Sequence, residues 1–464
     1  MPLLHDDRLF PPDATTRSLA RALYATVRNL PIVSPHGHTN AAWFAQNEAF
    51  PDPAKLFIQP DHYVTRMLYS QGVQLEQLEI GADTIRDPRA VWRIFAKHYY
   101  LFRGTPTRLW LDYAFQDLFG MQQRLSPATA DLYFDTISAA LQTPEFKPRA
   151  LFDRFKIEVI ATTDSPLDSL ADHAAIRASG WPGRVIPTFR PDSVVDPEFN
   201  GFAANIIKLG ENTGQNTGTF TGYLAALRQE RARFITLGAT ATDHGHPTAR
   251  TANLTAAEAS TLFDKVRHGN ATAGDAELFR ALMLTEMARM SVGDGLVMQI
   301  HPGSARNHNA QLFARFGRDI GADIPMQTSY VDALKPMLDL FGNEPALTVV
   351  LFTLDESTYS RELAPLAGHY PCLKLGPPWW FQDSPEGMMR FREQATETAG
   401  FYNTAGFNDD TRAFLSIPAR HDVARRIDCA FLARLVAEHR LDQDEAFDLA
   451  QDLTVNLARG TYNL

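Results

Sequence analysis

The chain has 464 residues, 45% hydrophobic and 21% charged, with a formal net charge of −10. That composition suits a globular enzyme with a large core and builds no basic stripe for nucleic acid. No apolar run approaches the ~20 residues that span a bilayer, and MPLLHDDRLFPPDATT at the start lacks the basic-then-apolar order of a secretory signal.

Only Cys372 and Cys429 are present, so neither a disulfide framework nor a CxxC zinc site is expected, and a reducing cytoplasm is the expected location. In chain order, eight apolar runs end in polar residues. They are PIVSPHGH (31–38), IEVIATTD (157–164), RVIPTFR (184–190), RFITLGAT (233–240), LVMQIH (296–301), ALTVVLFTLD (346–355), CLKLGPP (372–378) and FYNTAGFNDD (401–410). Segments of helical period, such as LFRALMLTEMARMSV (278–292), lie between most of them. Alternating strands and helices predict a parallel sheet, and eight such units predict an α/β fold of the (β/α)8 barrel type, distorted by a long insertion between strands 1 and 2.

Residues 40–150 are too long for one crossover and carry helical stretches such as ADLYFDTISAALQ. We read three parts: an N-terminal segment with the first strand (1–39), a helical insertion over the barrel mouth (40–150), and the remaining barrel (151–464). An open doubly wound sheet would also fit the alternation, but no early glycine-rich fingerprint is present.

The chemistry starts at HGH, residues 36–38. Residues i and i+2 of a strand share a face, so His36 and His38 are expected to point together into the mouth as ligands for a divalent metal. Asp410, at the end of the last run, completes the site or acts as acid/base beside it; Asp409 is the alternative, or else an N-cap. His301 is read as a ligand or as a satisfied polar residue. TDHGHPTAR holds a second HxH in a loop, from which His244 is expected to line the site. The fourth run has no lysine that a second, bridged metal would need, which favours one metal. Arg190 and Arg412, at strand ends, are suited to gripping a carboxylate, whereas Arg306 and Arg361 read as solvated surface. His62 and Tyr63 sit in the insertion, where a metal and a cation would lower the tyrosine pKa. Trp379 and Trp380 form a sugar-stacking platform or a cap.

Taken together, HGH, PDHY (60–63), TTDSPLDSL (162–170), FRPD (189–192), TDH (242–244), IHPGSARNHN (300–309), WWFQD (379–383) and DDTRAFLS (409–416) resemble the uronate isomerases, or glucuronate isomerases, of the amidohydrolase superfamily. The resemblance spans essentially the whole chain. Gly37 and the PPWWF approach to the tryptophans depart from the family pattern. The resemblance implies interconversion of D-glucuronate with D-fructuronate and of D-galacturonate with D-tagaturonate through a cis-enediol. It implies zinc held by His36, His38 and Asp410, with Asp410 also helping to open the ring. Tyr63 would shuttle the proton between C2 and C1, Arg412 would offset the enediolate charge, and Arg190 with His62 would hold the carboxylate. His301, His244, Trp379 and Trp380 would line the sugar site. A homo-oligomer is expected, with no membrane or nucleic-acid partner. Two other readings fit the same residues: a one-metal hydrolase or decarboxylase on the same barrel, and a non-catalytic sugar-binding relative.

Overall fold

The structure is a computed structural model describing residues 2–81 and 86–464; Met1 and residues 82–85, the latter inside the expected insertion, lie outside the described residues. Strands β1 (Ile32–Ser34), β2 (Ile157–Ala161) and β3 (Arg184–Ile186) pair in that order. A second sheet runs β4 (Ala241–His244), β5 (Val297–Ile300), β8 (Val349–Leu351), β9 (Leu373–Leu375). All pairings within these two sheets are parallel. Single-residue bridges continue the ring: Asp164 with Phe189, Phe189 with Thr242, and Leu375 with Thr404. A short antiparallel pair, β6 (Ser304–Ala305) and β7 (Ile324–Pro325), stands apart between β5 and β8. The architecture is an α/β barrel, distorted where its strands shrink to single bridges.

Two expected strands differ. RFITLGAT is not the fourth strand: residues through Thr236 end the helix Phe220–Thr236, and the chain turns at Gly238 (φ 98°) before β4 begins at Ala241. A short apolar run serves a helix face as well as a strand; here Phe234 is buried and Ile235 exposed. β4 is therefore ATDH, which carries no lysine. The eighth run contributes one bridge at Thr404 rather than a strand, and the backbone N–H of His38 donates to Thr411 O at 3.1 Å to tie its end to the first strand's end.

Between β1 and β2 the chain is helical. Proline opens Pro53–Phe57, Pro88–His98 and Pro106–Tyr113, each after a side chain that caps the first turn: Asp52, Asp87 and Thr105. Proline suits this place because its missing N–H would be unpaired there anyway. These helices bury Phe57, Trp92, Phe95 and Phe115 in one cluster with Ile157 and Ile160 of β2, so the helical segment is packed onto the barrel wall. The N-terminal helix Ala14–Val27 packs on Ile417–Ala437 and Gln443–Gln451 at another side. No helix among the described residues is long and apolar enough to cross a membrane.

Trp92 is fully buried between Phe57, Phe95 and Phe115. Trp92→Ala is expected to cost about 3–5 kcal/mol, read as an earlier denaturant midpoint; an unchanged midpoint would show that this cluster folds without adding to stability.

Candidate active site

The ends of β1, β3, β4, β5 and the eighth segment converge on a cavity of about 490 Å³. His36 and His38 lie just beyond β1 rather than on it. Their Nε2 atoms approach one oxygen, Oδ1 of Asp410, at 3.3 and 3.1 Å. That oxygen is buried and aligned in a hydrogen bond with neither ring, as expected of ligand atoms arranged around a shared cation. Asp410 has φ 37°, a left-handed conformation that costs a non-glycine residue energy. Gly37 needs no such explanation: a Cβ there would meet Ala161 O, Asp409 Oδ1 and Thr411 O at ordinary distances of 3.6–3.7 Å.

His301 follows β5. Its Nδ1 donates to Asp243 Oδ1 at 2.7 Å, while its buried Nε2 has no partner. Asp243 is held well below the usual carboxylate range: burial alone would raise it, but Arg190, His301 and His36 outweigh that. An ionised Asp243 fixes the proton on Nδ1, so the Nε2 lone pair is free for a ligand, an arrangement typical of metal-bound histidine. One ligand atom each from His36, His301 and Asp410 lies within 4.8 Å of the others. The donor set of two or three imidazoles and a carboxylate suits zinc or another divalent metal, and the unpaired Nε2 and Oδ1 are the atoms such an ion would satisfy. His301 thus sits with the metal-type group and also lines the cavity.

Burial opposes every charge in this cluster. It would keep His36 neutral, but Asp410 and Asp243 pull its pKa above the ordinary value. His38 stays below it, since burial outweighs Asp410. Burial would also raise Asp410, but His36 and His38 hold it well below the carboxylate range.

Several expected residues take different places. His244 does not line the cavity: it sits on β4 with its Nε2 3.0 Å from Thr242 Oγ1. Strand residues alternate in direction, so the inward position belongs to Asp243, and burial pushes His244 down to about 3. Arg190 lines the cavity but pairs with Asp192 at 2.8 Å and Asp243 at 3.1 Å. His62 is not beside Arg190; its Nε2 lies 3.4 Å from Arg412 Nη1, and burial with Arg412 lowers it to about 4. Arg412 also pairs with Asp319 at 3.2 Å. Tyr63 lines the cavity, but its pKa is raised rather than lowered: burial dominates, and Asp383, Asp410 and Asp61 add to it against Arg420. Trp379 is buried edge-on against His301, ring centroids 4.7 Å apart, so it braces the imidazole. Trp380 borders the cavity under Arg306, whose guanidinium carbon is 5.2 Å from its ring centroid. Arg306 is therefore a cavity residue, not solvated surface.

Asp164, Asp319, Asp383 and Arg420, none of them singled out by the sequence, also line or adjoin the cavity. Only Asp164 and Asp383 carried a signal, lying inside TTDSPLDSL and WWFQD. Asp319 and Arg420 come from a loop and a helix with no motif of their own.

The glucuronate isomerase family model matches residues 13–462. A uronate isomerase from Rhizorhabdus wittichii is 68% identical over 461 residues, covering 99% of this chain and 98% of that protein. The solved glucuronate isomerase from Caulobacter crescentus superposes with TM-score 0.98 at 61% identity, covering 100% of this chain and 98% of that one. The uronate isomerase structure from Thermotoga maritima gives TM-score 0.93 at 27% identity, over 99% of each chain.

Two outcomes are expected from the site's electrostatics. Burial pushes Asp164 up to about 6, against the Thr162 hydroxyl that donates to it at 2.6 Å. A carboxyl raised on folding favours its neutral form, so it costs stability once pH rises through 6 and costs none below its unfolded value. Asp164→Asn is therefore expected to raise the unfolding temperature near pH 8 and not near pH 3.5; an equal change at both would refute the assignment. Asp243→Asn removes the anion that fixes the His301 proton and is expected to weaken retention of an added divalent metal about 10–100-fold in a chelator competition, whereas unchanged retention would remove His301 from the metal group. Matched from end to end and folded like its solved relatives, the chain belongs to the glucuronate (uronate) isomerase family.

Proposed function

We propose that the protein interconverts D-glucuronate with D-fructuronate and D-galacturonate with D-tagaturonate. The observation that supports this reading best is the shared cavity: a phenol, Tyr63, and two guanidinium groups, Arg190 and Arg412, face it together with His36, His38 and Asp410. A one-metal hydrolase or decarboxylase of the same fold needs the metal and a base, but no phenol placed to carry a proton between neighbouring carbons.

In this reading Asp410 takes the proton of the anomeric C1 hydroxyl as the bond from C1 to the ring oxygen breaks, and gives it to the departing ring oxygen, leaving a C1 aldehyde and a free hydroxyl. The C2–H bond then breaks and its electron pair forms the C1–C2 double bond; the proton passes to Tyr63, whose ionised form is scarce but strongly basic because burial raises the phenol, while the C1 carbonyl oxygen becomes an enediolate oxygen. The C2 hydroxyl proton then passes to the neighbouring C1 oxygen, the carbonyl forms at C2, and Tyr63 returns its proton to C1. Arg412, beside His62, faces the developing negative charge, a task worth a few kcal/mol per preorganised donor. Arg190 holds the substrate carboxylate; with Asp192 and Asp243 fixing two of its edges, it enters the encounter already oriented. A divalent ion, zinc in the first instance, would be held by His36, His38, Asp410 and His301, and supplies Lewis acidity toward the sugar oxygens when bound. The expected setting is the cytoplasm, in a homo-oligomer.

Incubation with D-glucuronate is expected to yield ketouronate, and the absence of any ketouronate would overturn the reading. Tyr63→Phe is expected to lower kcat roughly 10²–10⁴-fold; near-normal turnover would take the shuttle role from Tyr63.

A further inference from the structure

Arg420 lies in the first turn of the helix Ile417–Ala437, with its side chain 2% exposed, yet it borders the cavity beside Tyr63. A buried guanidinium needs several partners, and this one has them on three separate parts of the chain. Its Nε donates to Ser416 Oγ at 3.1 Å. Its Nη1 pairs with buried Asp383. Its plane lies over Trp110, the guanidinium carbon 3.6 Å from the ring centroid, and 5.4 Å from that of Tyr63.

One of these partners, and the turn that ends in another, also hold Tyr63. The Trp110 ring packs edge-on against the Tyr63 ring at 5.3 Å. Asp383 ends the short turn Trp380–Gln382, and the phenol O–H of Tyr63 donates to Trp380 O at 2.7 Å. Trp380 has φ 51°, a left-handed conformation that a bulky residue keeps only when its surroundings enforce it. The Asp383–Arg420 pair supplies such enforcement three residues further on. The ring and the hydroxyl of Tyr63 are thus both braced by groups that Arg420 braces.

The charges facing the phenol show a second effect. Asp61 lies two residues before Tyr63, and its carboxylate accepts the Tyr63 N–H at 2.8 Å. Asp383 and Asp410 face the phenol from the tryptophan turn and the eighth segment. Arg66 interacts from Tyr63's own helix. Against three carboxylates, Arg420 is the principal cation favouring an ionised phenol.

We propose that Arg420 is the positioning residue for Tyr63, fixing its ring through Trp110 and its protonated hydroxyl through Asp383 and the Trp380 carbonyl, with its guanidinium set against the phenol ring. This rests on the reading of Tyr63 as the shuttle. The residue does not touch the reacting carbons; it acts through the phenol.

A double-mutant cycle on the full-length, metal-loaded protein tests it, with Tyr63→Phe, Arg420→Gln and the pair assayed for kcat and KM on D-glucuronate. Arg420→Gln is expected to lower kcat about tenfold or more, with KM changed less than about threefold. It is also expected to increase the rate effect of deuterium at C2. In the Tyr63→Phe background the same change is expected to alter kcat by less than about twofold. An equal fall in both backgrounds, or an unchanged isotope effect, would reduce Arg420 to a structural role while leaving the Tyr63 reading intact. Normal turnover by Tyr63→Phe alone would instead remove the shuttle. Because Arg420→Gln breaks a buried pair, Arg420→Lys and Asp383→Asn are carried through the same cycle. Arg420→Lys, which keeps the charge, is expected to recover part of kcat at equal thermal stability, and no recovery would count against the proposal.

Discussion

A largely buried network of imidazoles, carboxylates and one guanidinium crosses the mouth of this barrel, and much of the structure depends on it. Asp410 meets His36 and His38; His301 meets Asp243; Asp243 meets Arg190; Arg190 meets Asp192. Water reaches little of it, so an unpaired member would cost several kcal/mol. Each carboxylate must therefore have a cationic or hydrogen-bonding neighbour on another strand end. The ladder between the eighth segment and β1 is replaced by one backbone hydrogen bond and by the Asp410 contacts. The same atoms that gather for chemistry thus tie the first and last parts of the barrel together. The left-handed backbone at Asp410 is stored strain that this network holds in place.

The mouth divides into two electrostatic regions. On one side, burial and carboxylates oppose each other closely: at His36 the carboxylates Asp410 and Asp243 prevail and raise it, while at His38 burial outweighs Asp410 and lowers it. On the other, Tyr63 and Arg420 sit in an aromatic wall of Trp110 and Trp380, where low polarity strengthens each charge that remains. Arg306, Arg412 and Asp319 bridge the two at the rim, all partly exposed. Cations and a phenol thus line the same cavity as the imidazole and carboxylate group.

Much of this was legible in the chain. β1, β2, β3, β5, β8 and β9 fall inside apolar runs that end in polar residues, because a barrel strand needs an apolar body and delivers its functional groups at one end. HGH, FRPD, QIH and NDD marked the converging ends for the same reason. Helical stretches such as ADLYFDTISAALQ marked the segment between β1 and β2 as helical. What misled was ambiguity in period. RFITLGAT reads as a strand in isolation but packs as a helix end, which moved His244 from an expected loop onto β4 and turned it away from the cavity.

Direction and company needed the tertiary structure. Composition and order are enough to specify an α/β barrel, a paired-histidine and aspartate cluster and a tyrosine in the helical segment, since each is a local pattern of residue types. They cannot specify that Asp243 would aim His301 Nε2 at that cluster, or that Arg190 would be claimed by two aspartates while His62 joined Arg412. Nor can they specify that Arg420, far beyond Tyr63 in the chain, would brace its ring. Such pairings depend on which side chains meet across strand ends and between distant helices. Burial then sets the electrostatics: the phenol expected to be acidified by nearby cations is instead pushed up, because the loss of water outweighs a single guanidinium.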